Sequence, residues 1–190
     1  MEQPAASDEG LMAQVASGQR EHLETLVRRY ASPLLTYLCR MVGSRDRAED
    51  LFQDVFLAVW EKRRTYRFPQ TFRAWLFTIA ANRCRQTFRR ARSRSAVSLQ
   101  DLAGEPAALA AGTPAESAMV AETAKLVSAA VARLPDQQRT VLVLRTWNGL
   151  SYAEIAQIMG REEATVRSHM HHALAAVRRF LEPRMKADEL

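Results

Sequence analysis

The sequence has few of the features that mark secreted or membrane-spanning proteins. Its 190 residues include only two cysteines, Cys39 and Cys84, which lie far apart in helical patterns and are predicted to be free thiols in a reducing compartment. No segment approaches the roughly 18 to 20 consecutive apolar residues of a membrane span. Residues 1–10 carry three acidic side chains and no apolar run, which is unlike a signal peptide. We therefore expect a cytoplasmic protein with no membrane insertion.

Acidic residues are absent from one long stretch, between Lys62 and Gln100. The formal net charge of +6 and the pI near 9.9 favour a polyanionic partner. Much of the positive charge lies in this stretch. Aromatic side chains alternate with its cations, as single-stranded nucleic acid requires: cations follow phosphates, and bases stack on rings. The alternative is that the rings belong to the core and the arginines are simply solvated. The stretch has eleven cations: Lys62, Arg63, Arg64, Arg67, Arg73, Arg83, Arg85, Arg89, Arg90, Arg92 and Arg94.

Helical periodicity dominates the chain, and strand patterns are absent from the first half. We predict an all-α fold of two small helical domains, residues 1–94 and 118–190, joined by a flexible linker at 95–117, where Ala, Gly, Pro and Ser replace the periodic pattern. In the first domain, helices are expected after Ser7, from about Arg20 to Tyr30, after Ser32, after Ser44 and from Phe72 to about Arg90. Whether the segments on either side of Ser32-Pro33 form one kinked helix or two is left open by the sequence.

The helix after Ser44 is predicted to present acids on the side opposite its core face. Phe52, Val55, Phe56 and Val59 follow the i, i+3, i+4, i+7 spacing of a buried stripe. The opposite side predicts a docking surface for a basic partner, because a leucine stands there among acidic and polar residues. Metal binding by these acids is not favoured, since no further ligand stands at a suitable spacing. The outward residues are Asp50, Gln53, Asp54, Leu57 and Glu61.

The second domain carries the most specific local motif. Ser151 and Glu154 form a capping box that opens a short helix, Gly160 makes a turn, and a longer helix begins near Glu163. This order is typical of a helix-turn-helix, whose second helix enters the major groove of DNA, although a plain helical hairpin has the same pattern. Two of the outward histidines share a face but have no evident third metal ligand nearby. The residues expected to face outward are Thr165, Arg167, Ser168, His169 and His172.

Two groups of motifs, one in each predicted domain, occur in a fixed order. The first domain carries Ala48–Phe56 (AEDLFQDVF) and Phe72–Leu76 (FRAWL), which continues into Ile79–Arg83 (IAANR). The second carries Leu134-Pro135, then Gly149–Ala156 (GLSYAEIA) and Thr165–Ser168 (TVRS). Together they resemble the bacterial RNA polymerase sigma factors of the small, two-domain extracytoplasmic-function (ECF) group. The resemblance covers about Leu11 to Arg92 and Val127 to Phe180.

The resemblance implies a non-enzymatic factor that binds core RNA polymerase and directs promoter-specific initiation with melting of the minus-ten region. It implies docking on the clamp helices of the polymerase's largest subunit through Asp50, Gln53, Asp54 and Leu57. It implies contacts with the melted minus-ten strand through Tyr66, Arg67, Phe68, Arg73, Asn82, Arg83 and Arg85, where Tyr66 and Phe68 supply rings for stacking. It implies contacts with the minus-thirty-five duplex through Arg161, Thr165, Arg167, Ser168, His169 and His172. No catalytic residue, metal or cofactor is implied, and an anti-sigma factor is an expected further partner.

Two other functions compete with this interpretation. A stand-alone helix-turn-helix regulator would use the second domain but leave the acidic surface and the basic stretch without a role. A nucleic-acid-processing enzyme would need Asp50 and Asp54 as metal ligands. The sequence also departs from the family pattern, with Glu162 and Ala164 in the turn region and few cations along the last helix, which predicts weaker phosphate binding there.

Overall fold

The computed structural model describes residues 7–67, 70–95 and 114–185. These residues form helices and connecting turns, with no strand among them, which confirms the predicted all-α class. A short 3-10 helix, Arg63–Thr65, follows the third α-helix. The α-helices are α1 (Asp8–Ala16), α2 (Glu21–Val42), α3 (Arg45–Lys62), α4 (Phe72–Ser95), α5 (Pro114–Ala132), α6 (Asp136–Thr146), α7 (Tyr152–Met159) and α8 (Glu163–Met185).

The first domain packs α1, α2, α3 and α4 around one apolar interior. Val55, Phe56 and Val59 of α3 are buried, as their spacing predicts. Each such side chain contributes roughly 1.5 to 3 kcal/mol when removed from water. Gly43 ends α2 in a left-handed conformation, φ 71°, which a residue without a Cβ adopts at little cost. Ser44 then caps α3, so two adjacent residues reverse the chain between α2 and α3.

Helix α2 runs without a break through Pro33, which answers the question that the sequence left open. Ser32 therefore lies inside a helix, and no new helix begins after it. A proline in a helix removes one backbone donor. The cost is offset because Leu26, Leu34 and Leu38 are all fully buried, so one apolar stripe continues on both sides of the proline.

The boundaries of the predicted linker differ from those of the structure. Helix α4 continues to Ser95, and α5 already begins at Pro114, where proline suits the first helical position because its missing N–H would have no helical partner anyway. Residues 114–117 were expected to be linker and are helical. The remainder of the predicted linker, residues 96–113, lies outside the described residues.

The second domain packs α5, α6, α7 and α8 around Val141, Leu144, Ile155 and Val166. The buried residues of the two domains join in a single apolar cluster. The capping box is present as predicted: the Ser151 hydroxyl accepts from the backbone N–H of Glu154 (3.2 Å), whose carboxylate accepts from the Ser151 N–H (2.7 Å). These bonds satisfy two backbone donors that a helix start otherwise leaves open.

Both cysteines are free thiols in the structure, which agrees with the sequence prediction. Burial raises the pKa of Cys84 to about 12, although nearby Arg139 opposes the shift. The Cys39 pKa is raised by its partial burial as well. Both side chains are therefore protonated and weakly nucleophilic near neutral pH. No helix among the described residues has the length and apolar character needed to cross a membrane.

The capping box predicts a measurable loss of stability when its serine is replaced. Ser151→Ala should lower the free energy of unfolding by roughly 1 kcal/mol, because a backbone donor loses its acceptor. Ser168→Ala, at an exposed position on α8, is the matched control and should change it by less than about 0.5 kcal/mol. Urea titration followed by circular dichroism measures both variants. Equal losses would contradict the capping role.

The same interaction has a predicted pH dependence. Burial opposes ionisation of Glu154, but hydrogen bonds from Ser151, with a contribution from Arg73, outweigh it and lower the Glu154 pKa. A carboxyl whose pKa is lower in the folded state stabilises the fold above its unfolded pKa and loses that contribution as the pH falls through the folded value. The difference between wild type and Ser151→Ala should therefore shrink on acidification below the ordinary range of glutamate.

Candidate nucleic-acid and polymerase interfaces

One side of α3 presents the predicted polymerase-docking residues together. Asp50, Gln53 and Asp54 are exposed, and Leu57 is 60 % exposed. These four residues are called the α3 face below. Neither Asp50 nor Asp54 forms an ion pair with another described residue, so their charges are available to a partner. A large apolar side chain surrounded by unpaired carboxylates is the composition expected of a surface that binds a basic, partly apolar partner.

The arginines after α3 divide between solvent and internal contacts. Arg67 and Arg85 are exposed, whereas Arg73 and Arg83 are half-buried. Arg85 Nη1 donates to Asn82 Oδ1 at 2.8 Å, which brings two predicted minus-ten residues into contact. Arg92 pairs with Asp136 of α6, and Arg73 donates to the backbone carbonyl of Asn148. Arg67 and Arg85 stay exposed, and the binding of phosphate by this stretch remains a prediction.

Tyr66 does not present its ring to solvent. It is 9 % exposed, lies edge-on to Trp75 at a centroid distance of 5.4 Å, and its hydroxyl donates to the carbonyl of Gln70 at 2.5 Å. The expectation that Tyr66 offers a face for base stacking is therefore wrong for this state of the protein. Apolar burial against Phe72 and Trp75 outweighs exposure, because an aromatic ring gains more in the core than on the surface. Phe68, the second ring proposed for stacking, lies outside the described residues.

Helix α1 supports the cluster of rings formed by Tyr66, Phe72 and Trp75. Asp8 accepts hydrogen bonds from Tyr30 Oη and Arg29 Nη1, both at 2.6 Å. Glu9 Oε1 accepts from the backbone N–H of Phe72 at 3.1 Å, so an acid of α1 caps the start of α4. Because these partners are 21 to 63 residues apart in sequence, no local pattern could reveal them.

The second domain contains the predicted helix-turn-helix. Gly160 takes a left-handed conformation, φ 61°, and its N–H and that of Arg161 close the end of α7 on the carbonyls of Gln157 and Ala156. This motif aims α8 away from α7. The predicted base-reading residues share the outer surface of α8 at its first turns. Thr165, Arg167, Ser168 and His172 are exposed there, His169 is half-buried, and Arg161 is exposed in the turn.

Arg167 is held in position by two neighbours. Its Nε donates to Glu163 Oε1 at 3.1 Å, and its guanidinium lies 4.6 Å from the centre of the Tyr152 ring. The Nη2 atom also donates to Glu163 Oε1, at 2.5 Å, so the Nε/Nη2 edge of the guanidinium is paired in this structure. The Arg167 side chain is still 60 % exposed and is accessible to a base edge or a phosphate. In the described parts of the chain, no cluster of three or more His, Cys, Asp or Glu side chains is arranged to hold a metal ion.

These features define a two-domain helical protein that has one acidic surface, one basic surface and a helix-turn-helix. Residues 26–94 match the family described as Sigma-70 region 2, and residues 124–177 match Sigma-70, region 4. The first match runs from within α2 to the end of α4, and the second runs from the middle of α5 into α8.

Curated relatives extend these matches over nearly the whole chain. The chain is 32 % identical over 168 residues to the ECF RNA polymerase sigma factor SigL of Mycobacterium tuberculosis, covering 88 % of this chain and 93 % of the relative. It is 29 % identical over 186 residues to the RNA polymerase sigma-H factor of Pseudomonas aeruginosa, covering 94 % and 96 %. The chain belongs to the ECF RNA polymerase sigma factors.

Solved structures agree in fold. CnrH, in complex with the cytosolic domain of CnrY, superposes with a TM-score of 0.68 at 27 % identity and covers 94 % of this chain and 99 % of CnrH. The sigma factor RpoE, in complex with the anti-sigma factor NepR from Bartonella quintana, has a TM-score of 0.66 at 23 % identity and covers 84 % and 96 %. As a sigma factor, this protein directs transcription initiation and is not an enzyme, which sets aside the stand-alone regulator and the nucleic-acid-processing enzyme.

The burial of Tyr66 predicts a stability effect that the exposed Leu57 does not share. Tyr66→Ala should lower the free energy of unfolding by roughly 3 kcal/mol, because it empties space in the ring cluster. Leu57→Ala should cost less than about 0.5 kcal/mol, since its side chain is already in water. Thermal or urea unfolding of the two variants provides the comparison. A Tyr66 variant as stable as the Leu57 variant would place this ring outside the core.

Proposed function

We propose that this sigma factor divides its work among three surfaces. The α3 face binds the clamp helices of the polymerase's largest subunit. The arginines of α4 hold the melted minus-ten strand, and the outer surface of α8 reads the minus-thirty-five duplex. The observation that supports the proposal most strongly is the separation of charge: unpaired carboxylates around Leu57 on α3, and a carboxyl-free helix immediately after it.

Binding of the minus-ten strand is assigned to four arginines and Asn82 rather than to Tyr66. Arg67, Asn82, Arg83 and Arg85 lie on or before α4, and Arg73 is the first arginine of that helix. Each phosphate neutralised by an arginine releases condensed counterions, so binding by this surface should weaken steeply with salt. Tyr66 instead has a structural role, since its hydroxyl donates to the backbone carbonyl of Gln70.

Reading of the minus-thirty-five duplex is assigned to the first turns of α8. A recognition helix contacts base edges through residues near its N-terminus, and Thr165, Arg167 and Ser168 are exposed there. Arg161 in the turn and His169 and His172 one turn further along complete the surface. Arg167 is the residue assigned to a base edge, because Glu163 and Tyr152 hold its guanidinium in one direction.

An anti-sigma partner and a cytoplasmic location complete the proposal. The partner is supported by the structural similarity to CnrH, which was solved with the cytosolic domain of CnrY. A cytoplasmic location follows from the need to reach polymerase and DNA, and it agrees with two free thiols.

Run-off transcription with purified core polymerase on a genomic library tests the proposed function as a whole. Adding the chain should produce transcripts that start at a limited set of sites sharing two sequence elements. Core polymerase alone is the control. Start sites that are the same with and without the chain would contradict the proposal.

Reversing one charge on the α3 face should abolish polymerase binding. In Asp54→Arg, a cation replaces the carboxylate that meets the basic partner, so the affinity for core polymerase should fall by at least tenfold. The free energy of unfolding should stay within about 0.5 kcal/mol of the wild-type value. Glu24→Arg, an exposed reversal on α2, is the control and should bind normally. Unchanged affinity of Asp54→Arg, measured by fluorescence anisotropy, would refute the assignment of this face.

Removing Arg167 should reduce promoter selectivity at the distal element. If its guanidinium reads a base, Arg167→Ala loses roughly 1 to 3 kcal/mol of discrimination between the preferred base pair and its substitutes at one position. Arg178→Ala, further along α8 and also exposed, should leave that discrimination intact. Competition binding of the holoenzyme to promoters varied at the distal element measures it. An equal loss of affinity for every variant would identify a phosphate contact instead.

A further inference from the structure

The helix assigned to the minus-ten strand begins without an acid of its own. The first turn of α4 contains no acidic residue, and none occurs between Lys62 and Gln100. A helix start leaves four backbone N–H groups without helical acceptors, and a carboxylate is a favourable acceptor there because it also meets the positive end of the helix dipole. Within this stretch, such a carboxylate would lie beside DNA phosphates and oppose their binding. An acidic acceptor for this helix start can therefore come only from another part of the chain.

Helix α1 supplies that acceptor. Glu9 Oε1 accepts from the backbone N–H of Phe72, the first residue of α4, at 3.1 Å, although 63 positions separate the two residues. Thr71 Oγ1 accepts from the N–H of Ala74 at 3.3 Å. The first turn of α4 thus has one local acceptor and one distant acceptor. Glu9 is half-buried, which limits the access of water to its bond with Phe72.

The second acid of α1 reaches the same residue through an aromatic ring. Asp8 accepts from Tyr30 Oη at 2.6 Å, and the Tyr30 ring lies edge-on to the Phe72 ring at a centroid distance of 5.3 Å. Arg29 pairs with Asp8 as well, so the charge of Asp8 already has a partner. Phe72 is therefore held at its backbone by Glu9 and at its ring by Tyr30.

Phe72 in turn fixes residues that precede α4. Its ring lies edge-on to the Tyr66 ring at a centroid distance of 6.5 Å, and the Tyr66 hydroxyl donates to the carbonyl of Gln70. The Gln70 N–H donates to the carbonyl of Arg67 at 3.2 Å. A continuous series of contacts therefore joins Glu9 of α1 to Arg67, which the proposed function assigns to the minus-ten strand.

We infer that Glu9 is a positioning residue for recognition of the minus-ten strand. By accepting from the Phe72 N–H, it fixes the start of α4 and, through the ring contacts, the direction in which Arg67 and Arg73 meet the strand. It acts as a hydrogen-bond acceptor and does not contact DNA. The arrangement gives a cationic surface an acidic cap without placing an acid next to phosphate. The part of this inference that concerns DNA rests on the proposed function.

Amide exchange in the free, full-length protein tests the positioning itself. Glu9→Ala removes the acceptor, so hydrogen–deuterium exchange of the Phe72 and Gln70 amides, followed by NMR, should become at least tenfold faster, with a much smaller change at Ile79 further along α4. Glu9→Gln keeps an oxygen that accepts from Phe72 and should stay within twofold of wild type. Unchanged exchange at Phe72 in Glu9→Ala, or an equal acceleration at Ile79, would overturn the inference.

Binding of a promoter fragment with a single-stranded minus-ten region tests the consequence in the assembled holoenzyme. Glu9→Ala should weaken binding at least threefold, whereas Glu9→Gln should bind within twofold of wild type. Val15→Ala truncates a buried side chain of the same helix and is the control for stability. It should lower the melting temperature at least as much as Glu9→Ala, because it empties space in the core, and leave binding unchanged. If Val15→Ala or Glu9→Gln binds as weakly as Glu9→Ala, Glu9 does not act by accepting this hydrogen bond.

Arg67→Ala separates this inference from the proposed function. In the holoenzyme it should weaken binding of the same fragment, because it removes a cation assigned to the strand. If Arg67→Ala and Arg73→Ala both bind as wild type does, the assignment of the strand to this region fails, and amide exchange alone decides whether Glu9 positions the start of α4. If they weaken binding and Glu9→Ala does not, the proposed function stands and the inference about Glu9 is wrong.

Discussion

Burial of one side of α3 determines what its other side can do. Val55, Phe56 and Val59 are fixed in the interior between neighbouring helices, and the helical period then leaves Asp50, Asp54 and Leu57 no direction but outward. The exposure of the α3 face is therefore a consequence of core packing rather than of any contact among its own residues. The same interior fixes α4, so the acidic and the basic surfaces keep a constant relation to each other.

The aromatic and the basic residues of the stretch between Lys62 and Gln100 have different environments. Its rings, Tyr66, Phe72 and Trp75, pack together and are supported by Asp8 and Glu9 of α1. Its arginines mostly remain outside, because guanidinium groups without carboxylate partners are costly to bury. The alternative that the rings belong to the core is thus correct for these three residues. The exposed arginines agree with a role in binding nucleic acid.

Local sequence patterns predicted the structure well wherever it depends only on residues close together in the chain. The capping box at Ser151, the Gly160 turn and the amphipathic stripe of α3 each depend on neighbours within four residues, and the structure confirms all three. The sequence left open whether the chain breaks at Ser32-Pro33, and the helix continues because packing on both sides of Pro33 outweighs the local preference for a break. The prediction that Tyr66 is exposed failed, because no local pattern shows that Trp75 and α1 cover this ring.

Contacts between the domains were beyond prediction from the sequence. Asn148 precedes Gly149 in a turn, yet it bonds with Pro33, 115 positions away, and with Arg73, 75 positions away. Such pairs are set by how two finished domains fit together, and neither domain's periodicity carries that information. Membership of the ECF family was predictable, because its motifs are local and occur in a fixed order.

The account depends most on the α3 face being the surface that meets the polymerase. Photo-crosslinking tests this directly, with a benzophenone amino acid placed at Leu57 in one preparation and at Glu24 in another, each mixed with core polymerase. The account predicts a crosslink from position 57 to the clamp helices of the largest subunit and none there from position 24. A crosslink to those helices from position 24 but not from position 57 would contradict it.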